Sequence, residues 1–145
     1  MQIVMALLTV LGLQGTVAPA RTITIGVDNT MKYSVTSITA TPGETLRVVL
    51  KSTSTLPRLA MAHNFVLLAR GTDAAALVKA GAKSRDTDYI TAADKGKVLA
   101  MTALAGPDET VEITFTVPAR PGTYEFICTF PGHYALGMKG TLTVK

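Results

Sequence analysis

The sequence predicts an all-β fold: a sandwich of about eight short strands with one short helical insertion. Three observations point to it. Apolar and polar residues alternate with period two in segment after segment from Arg21 onward, the pattern of strands with one face on a core and one in water. Turn signals punctuate the segments, at Thr41-Pro42-Gly43, Ala105-Gly106-Pro107-Asp108 and Arg120-Pro121-Gly122. One stretch, Thr72 to Gly81, breaks the alternation with the helix-forming run Ala74-Ala75-Ala76-Leu77-Val78.

Taken in order, the chain begins with an apolar run from Ile3 to Leu13, interrupted by Thr9 and Gly12 and followed by Ala18-Pro19-Ala20. The run has the length of a secretory core region, and Ala18-x-Ala20 offers the small residues that a signal peptidase accepts. Residues 1–20 are therefore expected to be a signal peptide, although no Lys or Arg precedes Arg21. An apolar first strand or a helix lying on the domain is the alternative. Residues 21–145 form the expected domain. Its first strand alternates Ile23, Ile25 and Val27 with Thr22, Thr24 and Gly26. Further strands are expected over Tyr33 to Thr39, Thr45 to Ser52 and His63 to Ala69. The helix follows, with Thr72 or Asp73 as its cap, and Asp86 to Gly96 reads as a polar loop. Val98 to Leu104, Val111 to Val117 and Thr123 to Cys128 continue the sheet pattern, which closes with Leu142 and Val144.

Size and composition narrow the function. A chain of 145 residues and 15.2 kDa makes one domain, and can bury about two-thirds of the surface it exposes when unfolded. With 48% apolar and 17% charged residues it is neither disordered nor a solvated coiled coil. No apolar run reaches the ~20 residues of a bilayer span, so no membrane span is expected in the mature form. Cys128 is the only cysteine, which rules out an internal disulfide. The net charge of +4 invites a nucleic-acid reading, but the basic residues are scattered, there is no Trp, and aromatics are only 6% of the chain. A nucleic-acid surface needs clustered cations and stacking rings. A mildly basic solvated surface explains the charge.

The informative residues are two histidines, one cysteine and a methionine. His63 opens a strand, whereas Cys128, His133 and Met138 share the stretch Cys-Thr-Phe-Pro-Gly-His-Tyr-Ala-Leu-Gly-Met. Each is bland alone: a histidine starting a strand is usually just hydrogen-bonded, a lone cysteine is a small buried apolar group, and a strand methionine is core. Together they use every His and the only Cys of the chain. A thiolate, two imidazoles and a thioether match the trigonal His₂Cys site with a weak axial Met that holds copper for electron transfer. Structural zinc sites want more thiolates or histidines. A Cys–His nucleophile lacks a third orienting group and an oxyanion loop. The alternation points Cys128 the same way as Tyr124 and Phe126, and Pro131-Gly132 turns the chain back so that His133 approaches it.

On these residues the sequence resembles the cupredoxins, most of all the azurin and auracyanin type. The resemblance rests on Cys128-Thr-Phe-Pro-Gly-His133, on the closing Met138-Lys-Gly-Thr-Leu-Thr-Val-Lys145, on Met61-Ala62-His63-Asn64, and on the 65-residue step from His63 to Cys128. The helical insertion and Asp88-Tyr89-Ile90 fit the same pattern, so the likeness runs from about Arg21 to Lys145. It implies a Greek-key sandwich and one type 1 copper bound by His63, Cys128 and His133, with Met138 axial. It also implies that the Asn64 side chain ties the ligand loops together, and that the N–H groups of Asn64 and Phe130 face the Cys128 sulfur. The chain departs from the azurin pattern in four ways. Gly137 adds a residue between His133 and Met138, Ala62 stands where azurins have Gly, Phe65 replaces a frequent Trp, and the azurin disulfide is absent.

The implied function is that of a small carrier of single electrons, not an enzyme, because four ligands leave no open position for a substrate. The alternative is a copper carrier or store without redox duty, though the chain lacks the exposed Met and His clusters that such proteins use. Expected partners are redox proteins, such as c-type cytochromes or a terminal oxidase or reductase. They would dock near the ring edge of His133, on Met61, Phe130, Pro131 and Leu136. The expected setting is the periplasm or another extracytoplasmic space, and the expected form is a monomer.

Overall fold

The computed structural model describes residues 18–145, so most of the expected signal segment lies outside the described residues. Eight strands and one α-helix follow Ala20: β1 (Arg21–Val27), β2 (Ser37–Ala40), β3 (Thr45–Ser52), β4 (Val66–Leu68), α1 (Ala74–Gly81), β5 (Val98–Met101), β6 (Thr110–Thr116), β7 (Gly122–Ile127) and β8 (Lys139–Val144). They form two sheets, one in the order β1-β3-β6 and one in the order β2-β8-β7-β4-β5. β1 runs parallel to β3 and β2 parallel to β8; the remaining pairs are antiparallel. No described helix is long and apolar enough to cross a membrane.

The expected alternation sets the core. Leu46, Val48 and Leu50 of β3 are fully buried, while Arg47 between them turns outward to Glu112 on β6. Tyr124 and Phe126 of β7 and Leu142 and Val144 of β8 supply the facing layer. Phe65 joins the two sheets. Its ring lies 6.3 Å from Phe115 on β6 and 5.0 Å from Phe126 on β7, and it is fully buried. Burying a side chain of this size stabilises the fold by roughly 2–3 kcal/mol.

Several element boundaries differ from the sequence expectation. The strand expected over His63 to Ala69 shrinks to β4, because the Phe65 N–H donates to the Thr102 hydroxyl (3.0 Å) and interrupts the main-chain ladder. His63 instead makes an isolated two-way bridge with Ala105, at 3.0 and 2.7 Å. The strand expected from Tyr33 begins only at Ser37, after a turn in which Met31 takes a left-handed φ of 56°. Tyr33 still pairs with Val27 as an isolated bridge. The polar loop holds two 3₁₀ turns, Arg85–Thr87 and Lys95–Lys97. The cap of α1 is Asp73, whose carboxylate accepts from the Ala76 N–H at 3.0 Å. At the far end a Cβ on Gly81 would lie 1.8 Å from the Tyr89 carbonyl oxygen, so only glycine lets the returning loop pack this closely. That contact delivers Tyr89 to the site described next.

Candidate metal centre

His63, Cys128 and His133 converge. One ligand-type atom from each lies within 4.8 Å of the others, and all three side chains are buried. Cys128 Sγ is 3.5 Å from His133 Nδ1, and the two imidazole rings are 4.9 Å apart. β7 brings Cys128 to the end of the five-stranded sheet, and the Phe130–His133 turn (N–H to carbonyl, 3.1 Å) folds the chain back over it. Met138, one residue before β8, is fully buried in the same cluster as Cys128. Its N–H donates to the His133 carbonyl (3.0 Å) and its carbonyl accepts from the Cys128 N–H (3.2 Å). Gly137, at φ 90°, makes the turn that the extra residue requires.

The site's chemistry suits a soft cation. His63 Nε2 meets the Ser54 hydroxyl at 3.0 Å, while Nδ1 is the one buried side-chain N or O atom without a partner among the described residues. A buried ring nitrogen without a partner costs about 1–3 kcal/mol unless something occupies it. Burial pushes the Cys128 thiol up to about 12, and the N–H groups of Asn64 and Phe130 facing it oppose that shift. Burial, then the neighbouring His63, push His133 down to about 4. Burial also lowers His63, opposed by Asp28. Both rings are thus neutral donors at neutral pH, beside a thiol that only a cation would make a thiolate. Copper fits this donor set.

Comparison with known proteins decides the family. Residues 20–145 match the copper-binding proteins of the plastocyanin/azurin family. The chain belongs to that family. This cupredoxin is 38% identical to auracyanin-B of Chloroflexus aurantiacus over 128 residues, which is 87% of this chain and 53% of the relative. It is 41% identical to azurin of Alcaligenes faecalis over 96 residues, covering 64% of this chain and 73% of azurin. Among solved structures, auracyanin A, a "blue" copper protein of Chloroflexus aurantiacus, superposes with a TM-score of 0.78 at 38% identity. That match covers 88% of this chain and 100% of the other. The chain thus spans about half the length of auracyanin-B and the whole of the auracyanin A structure.

The expected bracing is present in this cupredoxin. The Asn64 side chain bonds Thr129 in both directions, at 2.8 and 2.9 Å, and so links the two loops that carry His63 and Cys128. Other braces were not foreseen from sequence. Tyr33 donates from its buried hydroxyl to the Asn64 carbonyl at 2.6 Å. Thr129 donates from its hydroxyl to the Asp88 carbonyl at 2.7 Å, and the Tyr89 ring meets Phe130 edge-on at 5.5 Å. Asp88 and Tyr89 are both left-handed, at φ 51° and 63°; Asp adopts this conformation readily, whereas nothing in its residue type announces it for Tyr89. Ser54 gave no signal either, since it is one hydroxyl in a run of four.

The expected docking residues divide. Pro131 is exposed, Leu136 is 54% exposed, and Phe130 is half-buried with its ring 4.7 Å from that of His133. Met61, expected at the surface, is buried at 7% exposure. Its N–H donates to the Pro57 carbonyl (2.9 Å) in a turn that draws the side chain inward. Leu56 and Leu59 of the same loop are the exposed apolar residues instead, at 42% and 68%.

Proposed function

We propose that this cupredoxin carries single electrons between redox proteins outside the cytoplasm, and that His63, Cys128, His133 and Met138 are the residues that would hold its copper. The support is the buried convergence of two neutral imidazoles and a thiol, with His63 Nδ1 left without a partner among the described residues. Bound copper supplies a one-electron Cu(I)/Cu(II) couple.

The chain's own residues do the rest. Asn64 and Thr129 hold the two loops together without using any donor atom of the cluster, so the donors need little rearrangement when the charge changes. The N–H groups facing Cys128 stabilise negative charge on sulfur and so favour one oxidation state over the other. Burial keeps bulk water from the donors. His133 is the ligand nearest the surface, at 3% exposure, in a loop without charged residues between Cys128 and Met138. Phe130, Pro131 and Leu136 around it suit brief docking of a c-type cytochrome or a terminal oxidase or reductase, where a small interface keeps dissociation fast.

The test is a titration with Cu(II) followed by voltammetry. The expected result is an intense blue thiolate-to-copper band, absent in Cys128→Ala, together with a reversible one-electron wave. A colourless protein overturns the ligand assignment. Copper lost readily to an acceptor protein, without a reversible wave, favours a metal carrier instead.

A further inference from the structure

We propose that the Ser54 hydroxyl is the positioning group for His63. It accepts a hydrogen bond from Nε2–H, and thereby sets the tautomer and turns the Nδ1 lone pair toward the metal. This rests on His63 being a ligand.

Ser54 is 1% exposed and its Oγ lies 3.0 Å from His63 Nε2. An imidazole that is neutral carries one proton, so one nitrogen donates and the other accepts. If Nδ1 held the proton, it would be a buried donor without a partner among the described residues. With the proton on Nε2, Ser54 satisfies it and Nδ1 is free to bind. The hydroxyl is also well anchored. Ser54 N–H donates to Ser52 Oγ (3.3 Å), Ser52 N–H to the Glu109 carbonyl (2.9 Å), and Thr53 N–H to the Val27 carbonyl (2.9 Å). Ser52 ends β3 and is itself 2% exposed, so the rigid three-stranded sheet fixes where the hydroxyl sits. The two sheets thereby meet at the His63, Cys128, His133 cluster: β7 and the loop after it supply Cys128 and His133, while β3, through Ser54, holds His63. Asp28 is the competing partner, because its main chain and carboxylate also favour a proton on this ring.

An acceptor on the distal N–H makes a ligating imidazole a stronger donor, which favours Cu(II). Ser54→Ala is therefore expected to keep the blue band, raise the reduction potential, and lower copper affinity by about tenfold. In the Cu(I) protein, the His63 Nε2–H proton resonance is expected to move upfield and to exchange faster with solvent. Ser54→Thr, which keeps the hydroxyl, is expected to restore all of these. Wild-type potential, affinity and proton resonance in Ser54→Ala would mean that Asp28 suffices, and would overturn the role of Ser54. Ser54→Thr behaving like Ser54→Ala overturns it too, since packing would then be the cause. A wild-type protein without the blue band would instead strike at the copper assignment itself, a distinct failure.

Discussion

Asn64 and Thr129 are 65 positions apart and share two hydrogen bonds that run in opposite directions: Asn64 Nδ2 donates to Thr129 Oγ1 at 2.8 Å, and Thr129 N–H donates to Asn64 Oδ1 at 2.9 Å. Each residue directly follows a member of the His63, Cys128, His133 cluster. The pair is fully enclosed, with both residues at 1% exposure or less. A single amide thus fixes the distance between two chain segments that come from different parts of the sequence.

Removing that amide has a predictable cost. Asn64→Ala takes away both bonds and leaves the buried Thr129 N–H without a partner, so a loss of about 2–4 kcal/mol is expected. Chemical denaturation of the metal-free protein measures it, and faster copper release to a chelator is expected alongside. An unchanged denaturation midpoint would show that the loops are held by packing alone.

The metal-free protein is expected to lose stability on acidification. In the folded chain His133 takes a proton only at about 4, against an ordinary value of 6.5. Between these values the unfolded state binds more protons, so stability is greatest above pH 6.5 and falls until about pH 4. Below that both states are protonated at this ring and its contribution levels off. His63 acts in the same direction. Urea midpoints across this window check it, and His133→Gln is expected to make the decline shallower.

Gly140 tests the packing beneath the site. A Cβ there would fall 2.2 Å from Phe126 Cζ and 2.7 Å from the Thr36 carbonyl oxygen. Gly140→Ala is expected to lower stability by about 1–3 kcal/mol, the range for overfilling a close-packed interior. Gly96→Ala is the control, since its Cβ would meet nothing within 4 Å. Equal melting temperatures for the two variants would contradict the packing described.

Leu136 tests the docking face. At 54% exposure it contributes little to the core, so Leu136→Glu is expected to change stability by no more than about 0.5 kcal/mol. The blue band should be untouched, while electron exchange with a redox partner slows because a charge must be desolvated at the contact. An unaffected exchange rate would move the docking site elsewhere, with exposed Leu59 the next residue to test.

How much of this was legible beforehand depends on the range of the interaction concerned. The alternation of β3 and the capped Ala-rich run of α1 are local, and both stand where the residue pattern put them. The late start of the strand expected from His63 was not legible, because it is set by the Thr102 hydroxyl, 37 residues beyond Phe65. Met61 looked like a surface residue until the turn at Pro57 showed where its side chain goes. Tyr33 and Ser54 carry no motif; each matters only through what lies beside it in the fold.

The sequence by itself determined the sandwich class and the family, because periodicity and the spacing from Cys128 to Met138 are properties of neighbouring residues. Only the tertiary structure decided which nitrogen of His63 lacks a partner among the described residues, what cross-links the loops after His63 and Cys128, and which apolar residues reach solvent. Those outcomes depend on contacts between distant segments, where a hydroxyl or an amide acquires its role from the donor or acceptor that the fold sets within about 3 Å of it.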